Sequence, residues 1–244
     1  MRNPRIFQQG TFSVNTSVSL SEDAFGHVIR VLRLKKGDII TLFNGEEPFQ
    51  YQAQLVNVCK KSAEVTILSQ HENNSESPLN IHLGQGISRG DRMDFTLQKS
   101  VELGVNTITP LFTERCGVKL NLERLEKKRQ QWQKIVISAC EQSGRTSIPI
   151  VAEPILLSDW LKQETSALKI NLHPKAQHSI MTIPMENNRV RLLIGPEGGL
   201  SDDEICQANE HNFHDVLLGP RVLRTETAAL TAITALQCRF GDLH

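Results

Sequence analysis

Three short stretches in the last third of the chain hold residue types that could do chemistry. They are Leu172-His173-Pro174, the run IGPEGGLSDDE at residues 194–204, and the run LGPRVLRTETAALTA that begins at Leu218. Between them they offer an imidazole (His173), a carboxylate (Glu197), two guanidinium groups (Arg221 and Arg224) and glycines with open backbone. A glycine loop that opens a helix is usually an anion cradle, because the helix N-terminal N–H groups point at the ligand. This loop is poorly built for a pyrophosphate. It has neither G-x-x-x-x-G-K-[ST] nor G-x-G-x-x-G. Pro196 removes an N–H donor, and the Glu197 carboxylate would repel an anion.

A ligand without phosphate, or with a positive centre, suits the loop better. S-adenosylmethionine has that chemistry: an adenosine, a sulfonium cation and a zwitterionic tail. Backbone at Gly195, Gly198 and Gly199 could read the adenine or approach the ribose closely. The competing reading is a plain helix-entry turn that needs φ > 0. Arg224 stands at the entry to a helix, with Thr225 available as its N-cap. A cation there opposes the helix dipole, so an anionic partner accounts for it better than local stability does. Pairing with Glu197 or Glu226 is the alternative. For His173, a general-base role competes with a packed or capping residue or a backbone contact.

These stretches need elements to hold them. Each follows a short apolar run, at 168–172, 190–194 and 216–218, which reads as a strand. In an open parallel sheet, ligands bind beyond the carboxyl ends of the strands, and all three stretches fall there. Ser201 with Glu204 three residues on is a capping-box signature for a helix start. A last helix is expected over 227–240. Upstream, strands are expected at 81–86 and 107–112, helices at 91–103 and 121–142, and a short helix capped by Ser158. Alternating strands and helices predict an α/β fold, a mostly parallel sheet with flanking helices. The first seventy residues read differently, with strands at 38–43, 49–58 and 63–68 and a turn at Asn44-Gly45. Close turns and short strands predict a small barrel or sandwich. The polar run HENNSESP at 71–78 reads as a linker, dividing residues 1–72 from 73–244.

Of 244 residues, 39% are apolar and 22% charged, as in ordinary soluble globular proteins. Basic and acidic side chains number 27 each, so any nucleic-acid footprint must be local. The five cysteines are widely spaced with no CxxC pair, which argues against a disulfide framework and a zinc site, and no metal is expected. MRNPRIFQQG lacks the apolar core of a signal peptide, and no apolar run has the length of a membrane span. A cytoplasmic protein with no membrane partner is expected.

The paired runs IGPEGGLSDDE and LGPRVLRTETAALTA resemble the motifs of SPOUT-class methyltransferases. RNPRIF, HVIRVLRLKKGD, QKSVELGV and SACEQSGR, in this order, are similar to the family that methylates N3 of a uridine in 16S ribosomal RNA. The resemblance covers essentially the whole chain. It implies a PUA-like N-terminal β-barrel that binds RNA, a trefoil-knotted α/β domain, S-adenosyl-L-methionine as cofactor, the small ribosomal subunit as partner, and a homodimer. It implies a cofactor pocket lined by Leu172, His173 and Pro174; by Ile194, Gly195, Glu197, Gly198 and Gly199; and by Leu218, Gly219, Leu223, Arg224, Thr225 and Ala228. Arg224 is the candidate catalytic residue.

RNA contact should be local and basic. Residues 1–71 carry eight Lys or Arg against six Asp or Glu, so the argument rests on clustering. His27, Arg30, Arg33, Lys35 and Lys36 form one cluster, with Arg2 and Arg5 added; Arg89, with Arg92 and Lys99, forms a second, and Arg221 faces RNA or a second subunit. A solvated face turning at Gly37-Asp38 is the bland account of the first cluster. Glu141, Gln142 and Arg145 are expected to pack at a dimer interface or hold the site. Two other functions stand beside the methyltransferase: an RNA-binding protein of the same fold that has lost turnover, and a phosphate-cofactor enzyme on a doubly wound sheet.

Overall fold

The computed structural model describes residues 3–117 and 122–243. The chain divides into two compact units, Met1–Glu76 with Cys140–Ile148, and Ser77–Ala139 with Pro149–His244. Arg2 lies outside the described residues.

The first unit is built on strands β1 (Arg5–Phe7), β2 (Ser17–Ser19), β3 (Ile39–Phe43), β4 (Phe49–Val58) and β5 (Ala63–Glu72), with a short helix α1 (Glu22–Phe25) running into a π-helical turn at Gly26–Val31. The sheet order is β1-β3-β4-β5-β2. β1 is parallel to β3, and the other pairs are antiparallel. Alternation decides the faces: Tyr51, Ala53 and Leu55 of β4 and Ala63, Val65 and Ile67 of β5 point to one core with Ile6, Val28, Ile40 and Leu42. Two register shifts between β4 and β5 interrupt the ladder, and such irregularities bend a strand pair.

The run 71–78 is not a free linker throughout. Asn73 and Ser75 donate to the Gly144 carbonyl, and Glu76 pairs with Arg145 at 2.7 Å. Glu141 accepts from the Phe7 N–H at 3.0 Å. Glu141 and Arg145 thereby tie segment 140–148 into the first unit. Arg5, expected to meet RNA, is corrected. It is 7% exposed, donates to Gln50 and to the Arg145 carbonyl, and stacks over Phe43. Its guanidinium is an interior fastening.

The second unit holds β6 (Asn80–Gly86), α2 (Asp91–Glu102), β7 (Thr107–Phe112), α3 (Leu122–Ser143, whose last turn belongs to the first unit), β8 (Ile150–Val151), β9 (Ile155–Leu156), α4 (Leu157–Leu161), β10 (Leu168–Leu172), β11 (His178–Ser179), β12 (Arg189–Ile194), α5 (Asp202–Glu210), β13 (His214–Leu217) and α6 (Thr225–Phe240). The sheet runs β11-β13-β10-β12-β6-β7-β8, with β9 also on β7, and its pairs are parallel. β12 is buried from Val190 to Ile194, the near-continuous apolar run of a strand covered on both faces. Ser158 sits inside α4 and does not cap it; the cap position is Leu156. Among the described residues no helix is long and apolar enough to cross a membrane.

Candidate functional site

β13, β10 and β12 are neighbours in the sheet. Their carboxyl ends therefore lie side by side, and the three loops that leave them share one cavity of about 540 Å3. All fourteen residues expected to bind a cofactor line it, from Leu172 to Ala228, and so does Arg221. Its size falls within the roughly 300–1,000 Å3 of small-molecule sites.

The glycine loop answers its own question through its hydrogen bonds. The Gly199 N–H closes a turn onto the Pro196 carbonyl at 2.8 Å. The Ser201 N–H donates to Glu204 Oε2 at 2.9 Å, and the Glu204 N–H donates to Ser201 Oγ at 3.3 Å. The expected capping box thus consumes donors that a phosphate cradle would need. Gly199 has φ +69°, which favours glycine. Gly86, at the end of β6, lies so close to Pro196 that a side chain there would collide with the loop backbone.

Glu197 is turned by two partners: the Arg89 N–H at 2.9 Å and Arg92 Nη1 at 3.3 Å. Among the described residues Arg224 pairs with neither Glu197 nor Glu226. Arg115 Nη1 donates to the carbonyls of Gly198 and Leu200, at 3.1 and 3.2 Å. Sequence reasoning missed Arg115 as a brace of the loop. It stands just beyond β7, a strand end that the same rule of parallel sheets could have flagged.

The cap of α6 falls one residue earlier than the expected Thr225. Arg224 occupies the N-cap position of α6, with φ −65° and ψ 155°, and Thr225 is the first helical residue. The Thr225 hydroxyl donates to the Gly195 carbonyl at 2.6 Å and accepts from Gln85 at 2.9 Å. Arg224 is exposed on the cavity wall, and among the described residues its guanidinium has no hydrogen bond or ion pair. His173 Nδ1 lies 3.8 Å from Asp215 Oδ2, and its backbone N–H donates to Val216. Asn171, fully buried and unremarked in the sequence, donates to Asp215 Oδ1 at 2.7 Å.

Of the residues expected to meet RNA, His27 and Arg30 stand on the π-helical turn and Arg33, Lys35 and Lys36 on the loop after it. Arg30, Arg33, Lys35 and Lys36 are exposed. Arg33 has φ +57°, uncommon for a side-chain-bearing residue. Arg30 stacks on Phe25. The expected turn is present, closed by Asp38 Oδ2 accepting from the Lys35 N–H at 2.7 Å.

Comparison with known proteins matches the same two parts of the chain. An RNA methyltransferase domain matches residues 75–237, and an RNA methyltransferase PUA domain matches residues 20–68. Ribosomal RNA small subunit methyltransferase E of Buchnera aphidicola subsp. Schizaphis graminum is 44% identical over 99% of this chain and 98% of its own. The chain belongs to the ribosomal RNA small subunit methyltransferase E family. A member from Neisseria gonorrhoeae, described as bound to S-adenosyl methionine, superimposes with a TM-score of 0.93 at 42% identity, covering both chains fully. A candidate methyltransferase from Legionella pneumophila, in complex with the bound cofactor SAM, gives 0.96 at 47%, again over both full chains. Membership in this family accounts for the mostly parallel sheet and the separate N-terminal unit of PUA type.

Proposed function

We propose that the chain transfers the methyl group of S-adenosyl-L-methionine to N3 of a uridine in 16S ribosomal RNA of the small subunit. The observation that carries this reading is the cavity formed by the three strand-end loops. Its lining suits a phosphate-free ligand better than a pyrophosphate: Pro196 has no N–H, and Gly199 has spent its own. The glycines leave backbone open to an adenosine, which fits the cofactor described in the family relatives.

Bound there, the cofactor supplies an electrophilic methyl on sulfur. The chain must do the rest. Uracil N3 is protonated at neutral pH and is a weak nucleophile until the proton leaves. Arg224, exposed and without a protein partner among the described residues, stabilises negative charge developing on the uracil oxygens. The braced loop fixes the reacting geometry. The base must first be unstacked from its neighbours. In this reading residues 1–72 recognise RNA through His27, Arg30, Arg33, Lys35 and Lys36, and residues 73–244 carry out transfer in the cytoplasm. The homodimer and the trefoil passage rest on the family resemblance.

Mass spectrometry of ribosomal RNA nucleosides tests the proposal. A strain lacking the gene should lose N3-methyluridine from its 16S RNA and regain it with the purified protein. An unchanged nucleoside profile would defeat it.

A further inference from the structure

A second hollow, of about 660 Å3, adjoins the cofactor cavity and shares four of its residues: Arg92, Arg115, Glu197 and Gly198. The remainder of its wall is Arg89, Gly90, Asp91 and Gly117. The charges are not equivalent. Arg92 is matched by Glu197 at 3.3 Å, and that carboxylate is further held by the Arg89 N–H. Arg115 is fastened to two carbonyl oxygens, and among the described residues no carboxylate pairs with it. The Arg89 side chain lies against Gly117, where any Cβ would displace its guanidinium. Among the described residues that guanidinium makes no ion pair or hydrogen bond. Asp91 is the opposing carboxylate. Two uncancelled guanidinium groups and one carboxylate leave a local surplus of positive charge, in a chain whose net charge is zero.

We infer that this hollow binds a backbone phosphate of the RNA beside the nucleotide being methylated, with Arg89 as its principal contact. The inference rests on the methyltransferase reading above and names where that substrate is gripped. Guanidinium groups match phosphate geometry with paired N–H donors. Phosphate contacts set the register of a nucleic acid on its protein, and this one stands one loop away from the reacting centre. Glu197 serves as a positioning residue. By engaging Arg92 and the Arg89 backbone it withdraws its own negative charge from the phosphate and fixes the wall common to both cavities.

The test is Arg89→Ala in the full-length protein, with Arg89→Lys and Asp91→Asn beside it. Steady-state kinetics use the small-subunit RNA or particle that the wild type methylates. Equilibrium RNA binding is followed across salt concentrations, and cofactor binding by calorimetry. Arg89→Ala should raise KM for RNA about tenfold with kcat and cofactor affinity unchanged, and should flatten the salt dependence by about one phosphate contact. Arg89→Lys should recover part of the loss, and Asp91→Asn should lower KM. The inference is overturned if Arg89→Ala leaves KM and the salt slope as in the wild type. It is equally overturned if the variant weakens cofactor binding, which would assign the hollow to the cofactor's carboxylate. A wild-type protein that methylates nothing would defeat the functional reading instead, and the salt-dependent binding measurement would still decide the phosphate site.

Discussion

The Thr225 hydroxyl bonds the Gly195 carbonyl and the Gln85 amide at once, tying the start of α6 to the glycine loop and to the end of β6. Thr225→Val keeps the shape of the side chain and removes both bonds. One buried Gln85 N–H then loses its partner, at about 1–3 kcal/mol for an unsatisfied group, and the half-buried Gly195 carbonyl loses its donor. We expect the second unit to lose roughly 2 kcal/mol in urea titration and cofactor affinity to fall several-fold in calorimetry. Thr225→Ser should retain both properties. Wild-type behaviour in the valine variant would show that the hydroxyl does not hold the loop.

Arg224 presents the opposite case, a charge the fold does not use. It is exposed at the N-cap position of α6 and makes no side-chain cap. Arg224→Ala should therefore leave the melting temperature within a degree or so, since exposed substitutions of this kind have small effects. Turnover should fall about 100- to 1,000-fold, the cost typical of losing one donor to developing charge. Single-turnover methylation at saturating cofactor and RNA measures it. Near-normal turnover would remove Arg224 from the chemistry.

What could be read from the residues, and what could not, follows from the range of the interactions. β4 and β7 match their expected limits because each is a run whose burial pattern is local. The capping box at Ser201 and Glu204 was legible because its partners are three residues apart. The convergence of 172–174, 194–199 and 218–228 was legible because strand ends are where parallel sheets place ligands. β8, β9 and β11 are two residues each, too short to carry a period. The π-helical turn follows no period of 3.6 or 2. Arg5, read as RNA-facing from its charge, is interior because its partners, Gln50 and the Arg145 carbonyl, lie 45 and 140 residues away. The run 71–78 looked like solvent-facing chain for the same reason, since Arg145 is 69 residues from Glu76.

His82 makes the stability of the second unit depend on pH. Its imidazole bonds Thr109 at 2.7 Å and meets the Trp160 ring edge-on. It is held at about 4, first because burial disfavours the cation and second because Arg191 faces it. An unfolded imidazole titrates near 6.5. Between those values the unfolded chain binds a proton that the folded chain refuses, so stability falls as pH drops through the window. The full loss is about 3 kcal/mol, reached below the folded value. Chemical denaturation at several pH values between 4 and 7 should show this slope, and His82→Gln should flatten it. A slope that survives the substitution would place the proton uptake elsewhere.

Glu76, half-buried, and Arg145, buried, make an ion pair within the first unit. Arg145 is 4% exposed, and its Nε and Nη2 both reach the Glu76 carboxylate, the shorter at 2.7 Å. Glu76 Oε1 also accepts the Ser147 N–H at 3.2 Å. The Arg145 carbonyl holds Arg5, itself buried. Removing the Glu76 carboxylate takes away two bonds of a buried guanidinium and the acceptor of the Ser147 N–H; breaking a buried pair in this way costs about 3–5 kcal/mol. Glu76→Ala should therefore destabilise the first unit by that amount, while Glu76→Gln, which keeps acceptor geometry, should cost less. The double variant Glu76→Leu with Arg145→Met should recover part of the loss, because both desolvation penalties disappear together. Thermal melts of the three variants decide the point. A double variant no more stable than Glu76→Ala would mean that Arg145 acts chiefly through its packing on the Arg5 cluster, and that the ion pair is not what fastens segment 140–148.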